Sequence, residues 1–383
     1  MLKIINIAVV IFLIIILFLM SFLDTKLNTK DKKRVLFFMT IVFTLFLGYR
    51  DIGLDLEPYR DIFNNQGILS INEIIKNGLF QSRLEPFFEM LISIIKKFNF
   101  GFSVFLFVSG AIPMLIVYNT IKKTEEQYLI TTFLLFILMF FFRGPVDIIR
   151  QFFAAAIYLS AVLSLSKGNK KKYWIKGLSS ILFHYSNIII IFVKPLLKII
   201  WNKKKMHLYL VITIVFGLFS KMILSQFDNV NLLNTDNAIL WKVGYYLTYY
   251  DSVGYQYIGI PHRVLRGITT YFPLIFSFFI TELYLNKDQP MEKVSFKSML
   301  LSSQIIGMLL AIYFSIIGAS IFGVRIQFLL SIGSFFIVKD VISMYINNKI
   351  IYASIIMSLI FYNFVIILYY AGIHDPMSSF YLF

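Results

Sequence analysis

The sequence predicts an all-α polytopic integral membrane protein of about 10–12 transmembrane helices. Three observations carry that expectation. Of the 383 residues, 58% are hydrophobic and only 15% are charged, whereas a soluble domain carries roughly 25% charged residues. Uncharged runs approach ~20 residues, the length that crosses a ~30 Å hydrocarbon core. Mean hydropathy is +0.78, and the ~10-residue alternating segments of a transmembrane β-barrel are absent.

The clearest run, "IINIAVVIFLIIILFLMSFL" at 4–23, opens the chain. It is too long for a signal-peptide core and no small-residue cleavage site follows, so it reads as a retained first span. Further spans are expected at roughly 34–49, 99–118, 127–142, 146–166, 206–224, 266–285, 298–317, 319–338 and 350–372. Two segments admit more than one reading. "LEPFFEMLISIIKKF" at 84–98 is short and carries Glu85, Pro86 and Glu89. "YWIKGLSSILFHYSNIIIIFV" at 173–193 has Lys176 and a polar break at His184, Tyr185, Ser186 and Asn187. Charge bias separates the alternatives. If 84–98 lies at the outer interface and 173–193 is broken or re-entrant, the inner loops hold the larger share of the 36 Lys and Arg. If both cross fully, that bias nearly vanishes, so the positive-inside rule favours the first topology.

Net charge is +16, which in a soluble chain suggests nucleic acid. Here lysines gather in short loops such as "KLNTKDKKR" and "KGNKKKYWIK", where they orient helices. Nucleic acid is not an expected partner. There is no cysteine, and the four histidines (184, 207, 262, 374) form no HxxxH or HExxH pattern. Neither a metal site nor a cofactor is expected. No repeat or linker divides the chain, which reads as one membrane domain over 1–383 with long extracytoplasmic loops at about 50–83 and 225–265.

In this topology, Arg50, Arg60, Arg83, Arg143, Arg150, Arg263, Arg266 and Arg325 fall outside or in the outer part of a span. Lysine suffices for orientation. Arginine adds a rigid fork that holds phosphate or carboxylate with two hydrogen bonds. The outer face is therefore expected to meet an anionic ligand. "GYRDIGLDLEPYRDIF" at 48–63 crowds Asp55, Glu57 and Asp61 beside Arg50 and Arg60; ordinary solvated ion pairs would also account for it. "FFRGPVDIIRQFF" places Arg143, Asp147, Arg150 and Gln151 at the edge of a span. A charge there costs at least ~2.5 kcal/mol unless it snorkels or faces a wet cavity. Snorkelling, or a pair between Arg150 and Asp147 one turn away, is the structural alternative. His184 lies deep in an apolar segment and would serve either a helix–helix hydrogen bond or a cavity. Arg325 in "ASIFGVRIQFLL" has no acid near it in sequence. "YQYIGIPHRVLRGITTYF" ends the second loop with His262, Arg263 and Arg266 after a run of aromatics. Those rings suit a membrane belt and also sugar stacking.

These residues together resemble the EpsG/Wzy family of polysaccharide polymerases. Gly53-x-Asp55-x3-Tyr59-x3-Phe63, preceded by Arg50, is similar to the family's outer-loop signature. Glu85-Pro86, Arg150-Gln151 leading "RQFFAAAIYLS", His184 with Ser186, and a late Arg325 follow in the family's order. The resemblance covers about 45–335. Leu54 and Leu56 depart from the small polar and aromatic residues often found at those positions.

What the resemblance implies is a membrane glycosyltransferase joining oligosaccharide repeat units carried on undecaprenyl pyrophosphate. It would work at the outer face of the plasma (inner) membrane, with no nucleotide sugar and no metal. The implied partners are that lipid-linked oligosaccharide, membrane lipid, and a chain-length regulator and flippase of the same pathway. A pyrophosphate leaving group without a metal suits arginines. Arg150 and Arg325 lead, with Arg50, Arg143, Arg263 and Arg266 behind them. An acceptor hydroxyl needs a base, for which Asp55 leads and Glu85 and His184 are alternatives. Tyr59 would stack on a sugar, and Gln151 and His262 would add polar contacts. A flippase for the lipid-linked unit, or another membrane transferase such as an O-antigen ligase, is the alternative reading.

Overall fold

The computed structural model describes residues 2–53, 55–78, 84–224, 260–286, 295–345 and 349–370. Among them all regular structure is helical. Six helices are long and apolar enough to cross a membrane, and one bent pair makes a seventh candidate. The chain is a multi-pass membrane protein. The expected loop at about 225–265 lies almost wholly outside the described residues.

Helices α1 (Leu2–Ser21) and α2 (Thr29–Tyr49) are joined by a tight turn. Asn28 starts α2 by accepting a hydrogen bond from the Asp31 amide, and Asp31 lies in the first turn, where its charge complements the helix dipole. Two short helices follow, α3 (Leu56–Asn65) and α4 (Ile71–Gly78), then α5 (Pro86–Lys97). At 12 residues α5 is about 18 Å long, too short to span. Helix α6 (Phe102–Thr124) is a full span. The next span begins as α7 (Leu129–Phe136) and continues as a π-helical stretch over Ile137–Asp147, which contains Gly144 and Pro145. The chain breaks at Ile148, with φ −85° and ψ 62°, before α8 (Ile149–Ser166).

Beyond α8 the chain doubles back. Helix α9 (Lys170–Phe183) ends at His184, a 3-10 turn covers Tyr185–Ile188, and α10 (Ile189–Leu196) returns along α9. The return is fixed by the Tyr173 hydroxyl, which donates to the Ile190 carbonyl at 3.1 Å. At 14 and 8 residues, neither arm reaches ~30 Å. The segment is thus broken at the polar residues His184–Asn187. Helices α11 (Lys203–Leu224), α12 (Ile260–Asn286) and α13 (Phe296–Ile316) follow. The segment expected to span at 319–338 is bent by 67° between α14 (Ser320–Leu330) and α15 (Ser334–Met344) and is the seventh candidate span. Gly333 stands at the bend, where a Cβ would come within 2.5 Å of the Leu300 side chain. Helix α16 (Lys349–Tyr370) completes the described chain.

The main core is built on the α7 span, α8, α13 and the α14–α15 pair, with Phe133, Phe136, Phe141, Phe152, Phe335 and Phe336 fully buried. Apolar residues also cover the outside. Phe12 and Val215 are each 62% exposed, as expected where the neighbour is lipid and not water. At the end where α1 stops and α7 starts, the Asp24 carboxylate accepts from the Ile130 and Thr131 amides at 3.1 and 2.7 Å. There also the buried Lys339 pairs with Glu125 at 2.9 Å and Asp340 at 2.7 Å.

A second, smaller core sits at the opposite end. Leu56, Tyr59 and Phe63 occupy one face of α3 by their 3–4 residue spacing. They pack on Phe88 and Ile92 of α5, Phe105 of α6 and Ile149 of α8. Each buried aromatic contributes about 1.5–3 kcal/mol. The stretch that reads as a charged loop is thus a folded cap seated on the bundle, and Leu56 belongs to its core.

Candidate active site

The cap places its charged residues against the breaks in three membrane elements. Glu85, the residue before α5, is 1% exposed. Its carboxylate bridges two partners distant in sequence. Arg150 Nη1, in the first turn of α8, donates to Oε2 at 2.7 Å. His184 Nδ1, at the α9–α10 break, lies 3.0 Å from Oε1. His184 lies at this position because the helix stops there and its backbone turns extended, at φ −158° and ψ 117°. Its Nε2 is buried and finds no hydrogen-bond partner in the protein, as is true of both amide atoms of Asn187 in the same turn.

Arg150 is held as a plane. Its guanidinium lies over the rings of Phe88 and Tyr59, at 5.8 and 6.0 Å from their centroids. Its side chain keeps 24% exposure. Tyr59 is 5% exposed and packs on Phe88 at 5.8 Å between ring centroids. Its ring thus lies against Phe88 and beneath the Arg150 guanidinium. The adjacent Gln151 donates through Nε2 to the Arg325 backbone carbonyl. That bond ties α8 to α14 and brings Arg325, 174 residues away, to the same place.

Asp55 reaches the cluster from the other side. Its amide donates to Asp147 Oδ1 at 3.2 Å. Asp55 belongs to the cap, outside the spanning helices. Burial among packed neighbours, together with the Asp147 charge, pushes its carboxyl up to about 7, while Arg325 and Arg150 pull in the opposite direction. Nearby Tyr59 is likewise pushed up to about 12, chiefly by burial. Asp55, Glu85, Arg150, Gln151, His184 and Arg325, far apart in sequence, thus meet at one end of the bundle.

Other expected residues stand elsewhere. Arg50 is buried at the end of α2 and donates to the Leu47 carbonyl at 2.6 Å, which closes the helix. Arg143 donates to the Thr269 carbonyl at 3.1 Å and lines a cavity of about 20 Å³ with Gln327 and Tyr362. That is room for about one water and not for a pyrophosphate. His262, Arg263 and Arg266 fall in the first turns of α12, and their side chains lie outside the described residues. The expected pair between Arg150 and Asp147 does not form as Arg150's ion pair, because the break at Ile148 takes the two out of helical register. Asp147 faces Asp55 instead. Its role was not foreseen, although an acid between Val146 and Ile148 at a span's edge is itself an unusual placement.

Among the described residues no group of three or more His, Asp or Glu is arranged to hold a metal ion. The cluster combines two arginines, buried carboxyls and a histidine. Such a site can bind a multiply charged anion and move a proton. No curated protein and no solved structure matched the chain. The EpsG family model matches residues 33–382 and so takes in the cap, α5, the breaks at Ile148 and His184, and α14. The chain belongs to the EpsG family, a family of Wzy-like polysaccharide polymerases.

Proposed function

We propose that this polymerase-type membrane protein joins undecaprenyl-pyrophosphate-linked oligosaccharide repeat units at the outer face of the plasma membrane, without a metal ion. The observation that carries the reading is the Arg150–Glu85–His184 chain set beside Arg325 and Asp55. In the transfer, an acceptor sugar hydroxyl attacks the anomeric carbon of the donor chain. The new C–O bond forms as the bond from that carbon to the phosphate oxygen breaks. The hydroxyl proton passes to Asp55, and the lipid pyrophosphate leaves with the electron pair.

Each residue has a place in that chemistry. Arg150 and Arg325 stabilise charge developing on the leaving pyrophosphate, an electrostatic contribution that needs donors already in position. Glu85 fixes the Arg150 plane and the His184 ring together. His184 Nε2, buried and without a hydrogen-bond partner in the protein, is left to hold a substrate hydroxyl. The apolar exterior accommodates the lipid tails of donor and acceptor.

The test compares surface polysaccharide from the source strain with and without the gene, and supplies purified protein with lipid-linked repeat. Loss of the long-chain ladder to single repeats, and polymer formation by the purified protein, is the expected result. If single repeats also vanish from the surface and lipid-linked repeat accumulates inside, the protein is a flippase and the arginines line a transport path.

A further inference from the structure

The cap is tied to the bundle at one close contact. Gly53 has φ +124°, and a Cβ there would lie 2.5 Å from the Val146 carbonyl oxygen. Only glycine accepts both conditions. Two residues on, the Asp55 amide donates to Asp147 Oδ1 at 3.2 Å. The backbone of the signature loop is therefore docked on Val146–Asp147, the last residues of the π-helical stretch, and this docking sets the Asp147 carboxylate against the Asp55 backbone, where its charge acts on the Asp55 carboxyl. Around Asp55 stand Tyr59 of α3, Asp147 of the α7 span, Arg150 of α8 and Arg325 of α14.

We propose that Asp147 is a positioning residue that forms a carboxyl pair with Asp55, so that the two hold one proton between them and Asp55 remains a competent base beside two arginines. The inference rests on the polymerase reading above and adds a residue to it. Arg150 and Arg325 are needed for the pyrophosphate, but alone they would hold Asp55 ionised and weakly basic. A second carboxyl opposes that effect. Two like charges in one site cannot both ionise freely, so one proton is retained to higher pH. Asp147 thereby reconciles a cationic leaving-group site with a base in the same small volume. Its amide bond sets the Asp55 backbone, while its charge acts on the Asp55 side chain.

Asp147→Asn separates these two functions. Asparagine keeps an oxygen to accept from the Asp55 amide but removes the charge. Two measurements apply to full-length protein in lipid nanodiscs. In an infrared titration of the protonated-carboxyl band, wild type should show a carboxyl titrating near neutral pH. Asp147→Asn should lower that transition by roughly one unit or more, and Asp55→Asn should abolish it. In polymerisation of lipid-linked repeat, the acid limb of the rate profile should move to lower pH in Asp147→Asn, with a lower plateau. A neutral transition that is missing in wild type, or unmoved by Asp147→Asn, overturns the carboxyl pair. A moved transition with an unmoved acid limb overturns its part in catalysis. Wild-type protein that makes no polymer while the infrared transitions behave as stated overturns the polymerase reading and leaves the carboxyl pair standing.

Discussion

Arg150→Lys tests the planar fork and not merely the charge. Arg150 uses Nη1 on Glu85 Oε2 at 2.7 Å and lies over Phe88 and Tyr59. A lysine ammonium can satisfy Glu85, so no buried carboxylate is stranded and the cap should stay folded. The structural loss is limited to the two ring contacts, about 0.5–1 kcal/mol each. The catalytic loss is larger. An ammonium held by Glu85 is a shorter point charge that no longer spreads donors toward a pyrophosphate. Removing one positioned donor to a developing anion costs about 2.7–4 kcal/mol, or 10²–10³ in rate. The assay is consumption of lipid-linked repeat by purified variant, with thermal unfolding in parallel. Turnover within about threefold of wild type, in a folded variant, would refute the role assigned to the fork, since that ratio is under 1 kcal/mol. Arg150→Ala is the poorer test, because it also leaves Glu85 buried without that partner.

Glu85→Gln keeps the shape of the bridge and removes its charge, so Arg150 loses its ion pair; a stability loss of about 3–5 kcal/mol is expected, and an unchanged unfolding temperature would contradict the buried pair. Gly53→Ala places a Cβ against the Val146 carbonyl at positive φ; a cost of about 1–3 kcal/mol should lift the cap, reducing turnover at least about tenfold while the transmembrane bundle stays folded by circular dichroism. Asp55→Asn bears on stability through pH. The Asp55 carboxyl is raised from 3.8 to about 7 in the folded chain, so its proton stabilises the fold at low pH and that contribution is lost as pH rises through about 7. Asp55→Asn should therefore gain thermal stability over wild type at pH 8 relative to pH 5, by on the order of 2 kcal/mol after allowance for partial exposure, while turnover is lost; equal differences at both pH values would refute the raised proton affinity.

Much of the fold was legible because lipid imposes a simple rule. Every buried backbone group must be satisfied within the chain, so long apolar runs become helices. The break at His184 was legible in the sequence, since His184, Tyr185, Ser186 and Asn187 interrupt an apolar segment. The bend at 331–333 was not. "LLSIGSFF" has no charge and no proline, and a single glycine inside an apolar run is compatible with a straight span. What breaks it is tertiary: Gly333 packs against Leu300 of α13. The folded cap was not legible either, since the charges at 48–63 are equally compatible with an open loop. Counting charges hid the apolar face of Leu56, Tyr59 and Phe63, which the helical period would have revealed.

The cluster itself shows where local reasoning stops. Arg150, His184 and Arg325 could be singled out because a charged or polar group inside an apolar run is costly, whereas Asp55 and Glu85 stood out through the resemblance of their motifs to the EpsG/Wzy family. Pairing could not be read that way, because the nearest acid in sequence is not the nearest in space. Arg150 has Asp147 three positions before it, yet its ion pair is with Glu85, 65 positions away. The reason is the break at Ile148: a continuous helix would have neutralised Arg150 with Asp147 and left Asp55 facing arginines alone. By ending the π-helical stretch there, the chain turns Asp147 toward the cap and Arg150 toward Glu85. One backbone irregularity thus makes two functional pairs out of a single structural one. A substitution that restored a regular helix through 143–150 should abolish turnover even with every charged residue retained.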